Sequence, residues 1–227
     1  EALVYFGSSL IPAFFLLNPW QQIYIFATAH TIPPLGIIVG RANPDVMKER
    51  PRDTEGIFNR QVAIALFAYA ISLTVMLYIA YYETLNGTIP VFAGNIAGYA
   101  PTFNISNPLN PVAWEQAKAR TMLHSVIVVA ECPFVFSLVQ MNKPIQVTMK
   151  DRNYRIIWYF VLIIPIAHLL LMYVPGIQDF LVHLLGINFE VVMLTPIDWL
   201  IVIALGVIPL LLLELYKAYV RKRQLYF

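Results

Sequence analysis

The sequence predicts an all-α fold: an integral membrane bundle of six transmembrane helices, the second span broken by proline. Three observations carry that expectation. Of 227 residues, 59% are apolar and 12% charged, against roughly 25% charged in soluble domains, too few polar side chains to cover a water-soluble globule. Long apolar runs recur at the ~20 residues that a helix needs to cross hydrocarbon. Finally, lysine and arginine gather on alternate connections between those runs, the pattern of a polytopic membrane protein.

Five runs reach spanning length: Gln21–Val39, Gln61–Tyr82, Ala119–Val139, Ile156–Val174 and Ile197–Tyr216. A sixth, Ala2–Leu17, is short by about a turn. The chain opens on Glu1 with no charged region ahead of the first apolar run, so we expect no signal peptide and a start inside a longer polypeptide. Only Asn18, Pro19 and Trp20 separate the first two runs, a tight hairpin near an interface that suits tryptophan. The last run opens with Thr195-Pro-Ile-Asp198, a capping-box-like start with proline at the first helical position. Residues 1–227 read as a single membrane domain.

Charge sets the topology. The connections after the second and fourth runs and the tail hold 13 of the 15 basic residues, leaving Lys118 and Arg120 on the other side. By the positive-inside rule the chain start and the C-terminus are cytoplasmic, and the expected location is the cell membrane. A net charge of +2 gives no field for nucleic acid. Cys132 is the single cysteine, which rules out an intrachain disulfide and a cysteine metal cage. The loop Glu83–Val112 is rich in Asn, Gly and Pro, and is expected to be an irregular outer loop. Asn86 and Asn104 in it match the glycosylation triplet.

Ionisable groups within a bilayer cost roughly 2.5–3.5 kcal/mol each and therefore mark candidate sites. Glu131 lies mid-run in Val128-Val-Ala-Glu-Cys-Pro133, with no basic residue near it on its own helix. His30 lies in Ala27-Thr-Ala-His-Thr-Ile-Pro-Pro34, where two prolines remove backbone donors and free carbonyls on the preceding turn. Irregular backbone at membrane depth persists only where protein or a water-filled cavity satisfies it, and broken helices of this kind build ion sites in transporters. Thr31 shares that stretch. His124 and His168 are better explained by packing or helix–helix hydrogen bonding. Pro12, Pro133, Pro165 and Pro209 are expected to kink their helices. No phosphate loop, Ser–His–Asp set or metal-binding Cys/His spacing is present, so the chain offers no hydrolytic chemistry of its own.

Asn18-Pro-Trp-Gln21, a proline-broken helix, then Asp45-Val-Met-Lys-Glu-Arg-Pro-Arg52 resemble the sixth helix and following loop of P-type cation-transporting ATPases, whose loop reads close to Asp-Ile-Met-x-Arg-Pro-Pro-Arg. Ala119-Arg-Thr-Met122 with Glu131 resembles the family's eighth helix and its buried glutamate. Leu194-Thr-Pro-Ile-Asp-Trp-Leu200 through Glu214-Leu-Tyr-Lys217 resembles its tenth. The likeness runs in order from end to end.

The resemblance implies the fifth to tenth helices of a ten-helix pump. Glu1 then falls on the family's ion-binding glutamate of the fifth helix, and Glu131 on the eighth-helix carboxylate that contributes to an ion site in the calcium pumps. The sixth helix departs: the calcium pumps carry Asn-x-x-Thr-Asp before the proline, whereas here Phe26-Ala-Thr-Ala-His-Thr31 loses the asparagine. His30 or Thr31 replaces the aspartate, according to where one residue of slippage is placed. Calcium takes 6–8 oxygen ligands, so the loss removes calcium specificity from the expectation, and a histidine can carry a proton instead.

The resemblance also implies that ATP and Mg belong to the parent pump's phosphorylation, nucleotide-binding and actuator domains, upstream partners in the same polypeptide, with no cofactor in this chain. The other partners are a transported cation and the lipid bilayer. The alternatives are a proton-linked secondary transporter or channel using His30 and Glu131, and a degenerate module that serves assembly only.

Overall fold

The computed structural model describes residues 17, 19–39, 60–87, 111–174, 176–187 and 189–223. Every regular element among them is helical. The elements are α1 (Pro19–Ile25), a π-helical turn (Phe26–Thr31), α2 (Ile32–Val39), α3 (Arg60–Asn86), α4 (Pro111–Val139), α5 (Ile145–Lys150), a 3-10 turn (Arg152–Tyr154), α6 (Arg155–Tyr173), α7 (Ile177–Leu185) and α8 (Pro196–Lys222). The first predicted run apart from Leu17, the basic loop carrying Arg41–Arg52, Asn104 and most of the Glu83–Val112 loop lie outside the described residues.

Among the described residues, four helices are long and apolar enough to cross a membrane: Arg60–Asn86, Gln116–Val139, Arg152–Tyr173 and Pro196–Lys222. Together with the exposed apolar rows Ile71 and Val75 on α3, Leu162 and Ile166 on α6, and Leu211 and Leu215 on α8, they define a multi-pass membrane protein. Exposed apolar faces of that extent need hydrocarbon against them.

The span through Gln116–Val139 differs in kind. It is 67% buried inside the protein, against 22–33% for the other three, so α4 is the axle around which the rest pack. Met122, Leu123, Val126 and Ala130 along it are fully buried. Close approach of α8 is permitted by Gly206: a Cβ there would sit 2.8 Å from Val129 Cγ1 and 3.2 Å from the Val126 carbonyl. Small residues at such crossings are how helices pack without a hydrophobic gradient between them.

Helix ends depart from the apolar runs in an instructive way. The helix α4 begins at Pro111, about two turns before the run that starts at Ala119, and α8 continues to Lys222 rather than stopping at Tyr216. Hydropathy marks only the part of a helix in hydrocarbon, and polar turns extend past it. The short helices α5 and α7 fall in connections with no apolar run of spanning length. Pro133, Pro165 and Pro209 all lie inside continuous helices.

Local chemistry fixes the start of α8. Thr195 accepts from the Asp198 amide and the Asp198 side chain accepts from the Thr195 amide, a complete capping box with Pro196 in the first turn. Asp198 also receives Lys118 Nζ at 3.1 Å, with both side chains buried. At the other end of the bundle Glu214 Oε1 accepts from Ser137 Oγ (2.6 Å) and Lys217 Nζ (2.7 Å), while Oε2 accepts from the Ile145 amide (3.1 Å). Lys217 donates in addition to Ser137 Oγ at 2.9 Å. The Lys118–Asp198 ion pair therefore ties α8 to α4 at one end, and Ser137 of α4, bonded to both members of the Glu214–Lys217 pair on α8, ties them at the other.

Candidate functional site

The segment from Pro19 to Val39 brings the site together. Pro33 and Pro34 cannot donate to the carbonyls of Ala29 and His30, so the helix has no α-type bonds to keep there. Ahead of the prolines it widens into the π turn Phe26–Thr31, a form that favours functional sites in helices. The Thr31 hydroxyl stabilises the wide turn by donating to the Phe26 carbonyl at 2.9 Å. The helix resumes at Ile32 and passes through both prolines. It is set against α6 at Gly36, where a Cβ would lie 3.2 Å from Phe160 Cβ.

His30 leaves the π turn toward α4. Its Nδ1 lies 3.6 Å from Glu131 Oε2, with side-chain exposures of 34% and 14%. That is ion-pair distance, longer than a direct hydrogen bond. Next to the pair, Tyr69 of α3 donates to the Ala130 carbonyl at 3.1 Å and stacks on Phe134 with ring centroids 3.9 Å apart. Of the four sequence-derived candidates, His30 and Glu131 meet across two helices. Thr31 is exposed on the π turn with its hydroxyl committed to Phe26, and Glu1 lies outside the described residues.

A second buried group is built from the two histidines that the sequence assigns to packing or helix–helix hydrogen bonding. His124 and His168, one on α4 and one on α6, are fully buried with ring centroids 4.7 Å apart. Tyr24 of α1 packs on both, at 4.9 and 6.3 Å, and His168 Nε2 lies 2.9 Å from Ser125 Oγ. The only sequence signal was His124 at seven residues before Glu131, which places both on one face; the partner from α6 is a tertiary fact. Tyr24 meets His124 and His30 meets Glu131, so the Pro19–Val39 segment runs parallel to α4, with two polar layers about two turns apart. The pair Glu214–Lys217, spaced i,i+3, was legible as a local helix pair, but the Ser137 and Ile145 partners were not.

The fold and these groups together define a polytopic membrane protein with ionisable side chains paired between its helices. The family model described as cation transporting ATPase, C-terminus, matches residues 14–219, and the chain belongs to that family: it is the C-terminal membrane module of a P-type cation-transporting ATPase. Sodium/potassium exporting P-type ATPases 1, 2 and 5 of Saccharomyces cerevisiae are each 36% identical to it over 69 residues, a stretch that is 30% of this chain and 6% of each relative. The matched stretch is thus a small part of those proteins' length.

Proposed function

We propose that this chain supplies the fifth to tenth helices of an ATP-driven cation pump, six spans with the second broken by its prolines, and that Glu131 and His30 bind the transported ion or a counter-transported proton. The observation that carries the reading is the His30–Glu131 contact at 3.6 Å within the family-matched region. Two ionisable side chains at membrane depth, drawn from different helices, are tolerable when they share an ion, a proton or water. Thr31 stands at the edge of this site, and Glu1, counted back without gaps from Pro19, takes the place of the family's fifth-helix glutamate. Basic connections put the chain start and the C-terminus in the cytoplasm, in a cell membrane, with ATP and Mg held by domains upstream in the same polypeptide.

The ligand set points to a weakly coordinated ion. One carboxylate and one imidazole fall far short of the oxygens that calcium requires. The relatives' names, sodium/potassium exporting, favour an alkali cation. The test is cation-dependent ATP hydrolysis by the full-length polypeptide in lipid. Glu131→Gln should weaken apparent cation affinity at least tenfold and His30→Gln should flatten its pH dependence. Wild-type cation dependence in both variants would leave an assembly-only module, and cation movement independent of ATP would point to a secondary transporter.

A further inference from the structure

The connection between α6 and α8 folds back on the bundle. Helix α6 is capped by Val174 in extended conformation, and Gly176 (φ +86°) and Gly186 (φ +66°) close the two ends of α7 in the left-handed region. A Cβ at either glycine would meet nothing within 4 Å, so both serve the turn and not a close approach. Gln178, in the first turn of α7, donates to the Leu171 carbonyl of α6 at 3.0 Å and to the Val191 carbonyl at 2.9 Å. Ile177 and Leu181 pack against the apolar core. One side of α7 is thereby held to the bundle.

The helical repeat of about 100° per residue arranges the other sides. Asp179 and His183, four residues apart, share a face that points almost opposite to Ile177 and Leu181. Between those two faces Phe180 and Leu184 form one flank, 59% and 64% exposed, and Val182 lies exposed on the other. His183 is the one exposed side chain of α7 that is not apolar. The apolar flanks continue into exposed Leu170 and Val174 at the end of α6 and exposed Ile197 and Leu200 at the start of α8. That surface belongs to the spans and faces hydrocarbon, whereas a patch built for another protein is closed by a polar rim. Helix α7 has no lysine or arginine, so it lacks the charge that draws anionic headgroups.

We propose that α7 is a membrane-surface helix that lies in the boundary between headgroups and acyl chains of one leaflet, with Phe180, Val182 and Leu184 among the chains and Asp179 and His183 in the headgroup water. Its partner is zwitterionic lipid. Surface helices bind through apolar area, and through basic residues where the lipid is anionic; this one has only the first. Because Gln178 bonds α6 and the segment returning to α8 together, immersion of α7 sets the depth of both spans. That this leaflet faces away from the cytoplasm rests on the orientation proposed above; the immersion does not.

The experiment is spin labelling of the full-length polypeptide in phosphatidylcholine bilayers, with its other cysteines replaced. Phe180 and Leu184 are exposed, so a label at either removes no core contact. Nitroxides at Phe180→Cys and Leu184→Cys should show a several-fold higher ratio of collisions with oxygen, which gathers among acyl chains, to collisions with a water-soluble nickel chelate than nitroxides at Asp179→Cys and His183→Cys. Equal nickel access at all four positions means that α7 stands in water. Labels at Phe180→Cys and Leu184→Cys shielded from both reagents mean that protein covers the flank. Either result overturns the proposal, as does a contrast that appears only when phosphatidylglycerol is added. A membrane-impermeant maleimide should label Asp179→Cys from outside intact cells; labelling only after permeabilisation overturns the orientation and leaves the immersion standing.

Discussion

Lys118 Nζ lies 3.1 Å from Asp198 Oδ1, and the two side chains are 6% and 1% exposed. The carboxylate serves two functions at once, capping α8 through the Thr195 amide and hydroxyl, each at 2.9 Å, and neutralising a cation brought by α4. Asp198→Asn keeps the shape of the cap but takes the carboxylate charge away from a buried ammonium, and breaking a buried pair typically costs about 3–5 kcal/mol. Adding Lys118→Met to that variant should recover most of the loss. Thermal unfolding of the two singles and the double, followed by fluorescence-detected size exclusion, checks the order.

The opposite end of α8 predicts an asymmetry. Glu214 retains Ser137 and the Ile145 amide if Lys217 is removed, whereas Lys217, with a fully buried side chain, retains only Ser137 if Glu214 is removed. Glu214→Ala should therefore destabilise more than Lys217→Met. Equal midpoints in a denaturation series would contradict it.

Gly206 tests the axle. A methyl group there would press on Val129 at 2.8 Å, and overpacking of that kind costs about 1–3 kcal/mol. Gly206→Ala should lower stability, and Val129→Ala in the same chain should restore it. Because Val129 lies two residues before Glu131, the single variant should also shift cation affinity measurably.

His30 and Glu131 should be energetically coupled. Residues in contact show interaction terms of about 0.5–3 kcal/mol, so a double-mutant cycle of His30→Gln and Glu131→Gln on cation affinity should be non-additive. Additive effects would place the two groups in separate functions.

The hydrophobic architecture could be read directly because it depends on local quantities: run length, a capping box at Thr195, and charge on the connections. His30 and Glu131 were legible for the same reason, since an ionisable residue in an apolar run is conspicuous by itself. The groups that escaped the sequence are those defined by their partners. His168 means little until α6 sets it beside His124, and Lys118 reads as an interfacial residue until Asp198 closes on it. Thr31 shows the converse limit. The sequence sets it beside the two prolines, but only the backbone shows its hydroxyl bonded to the Phe26 carbonyl.

The π turn at Phe26–Thr31 has a consequence for comparing this chain with its relatives. A π turn contains about one residue more than an α turn, so it behaves as a one-residue insertion absorbed without a loop. A straight alignment to an uninterrupted α-helix would slip by one residue across it, and His30 and Thr31 are the two neighbouring positions such a slip exchanges. Deleting one residue from the turn would rotate the segments on either side of it by about 100° relative to one another and turn His30 away from Glu131. The inserted residue is therefore itself a positioning device, and position-by-position matching of ligands is valid here only on one side of the turn at a time.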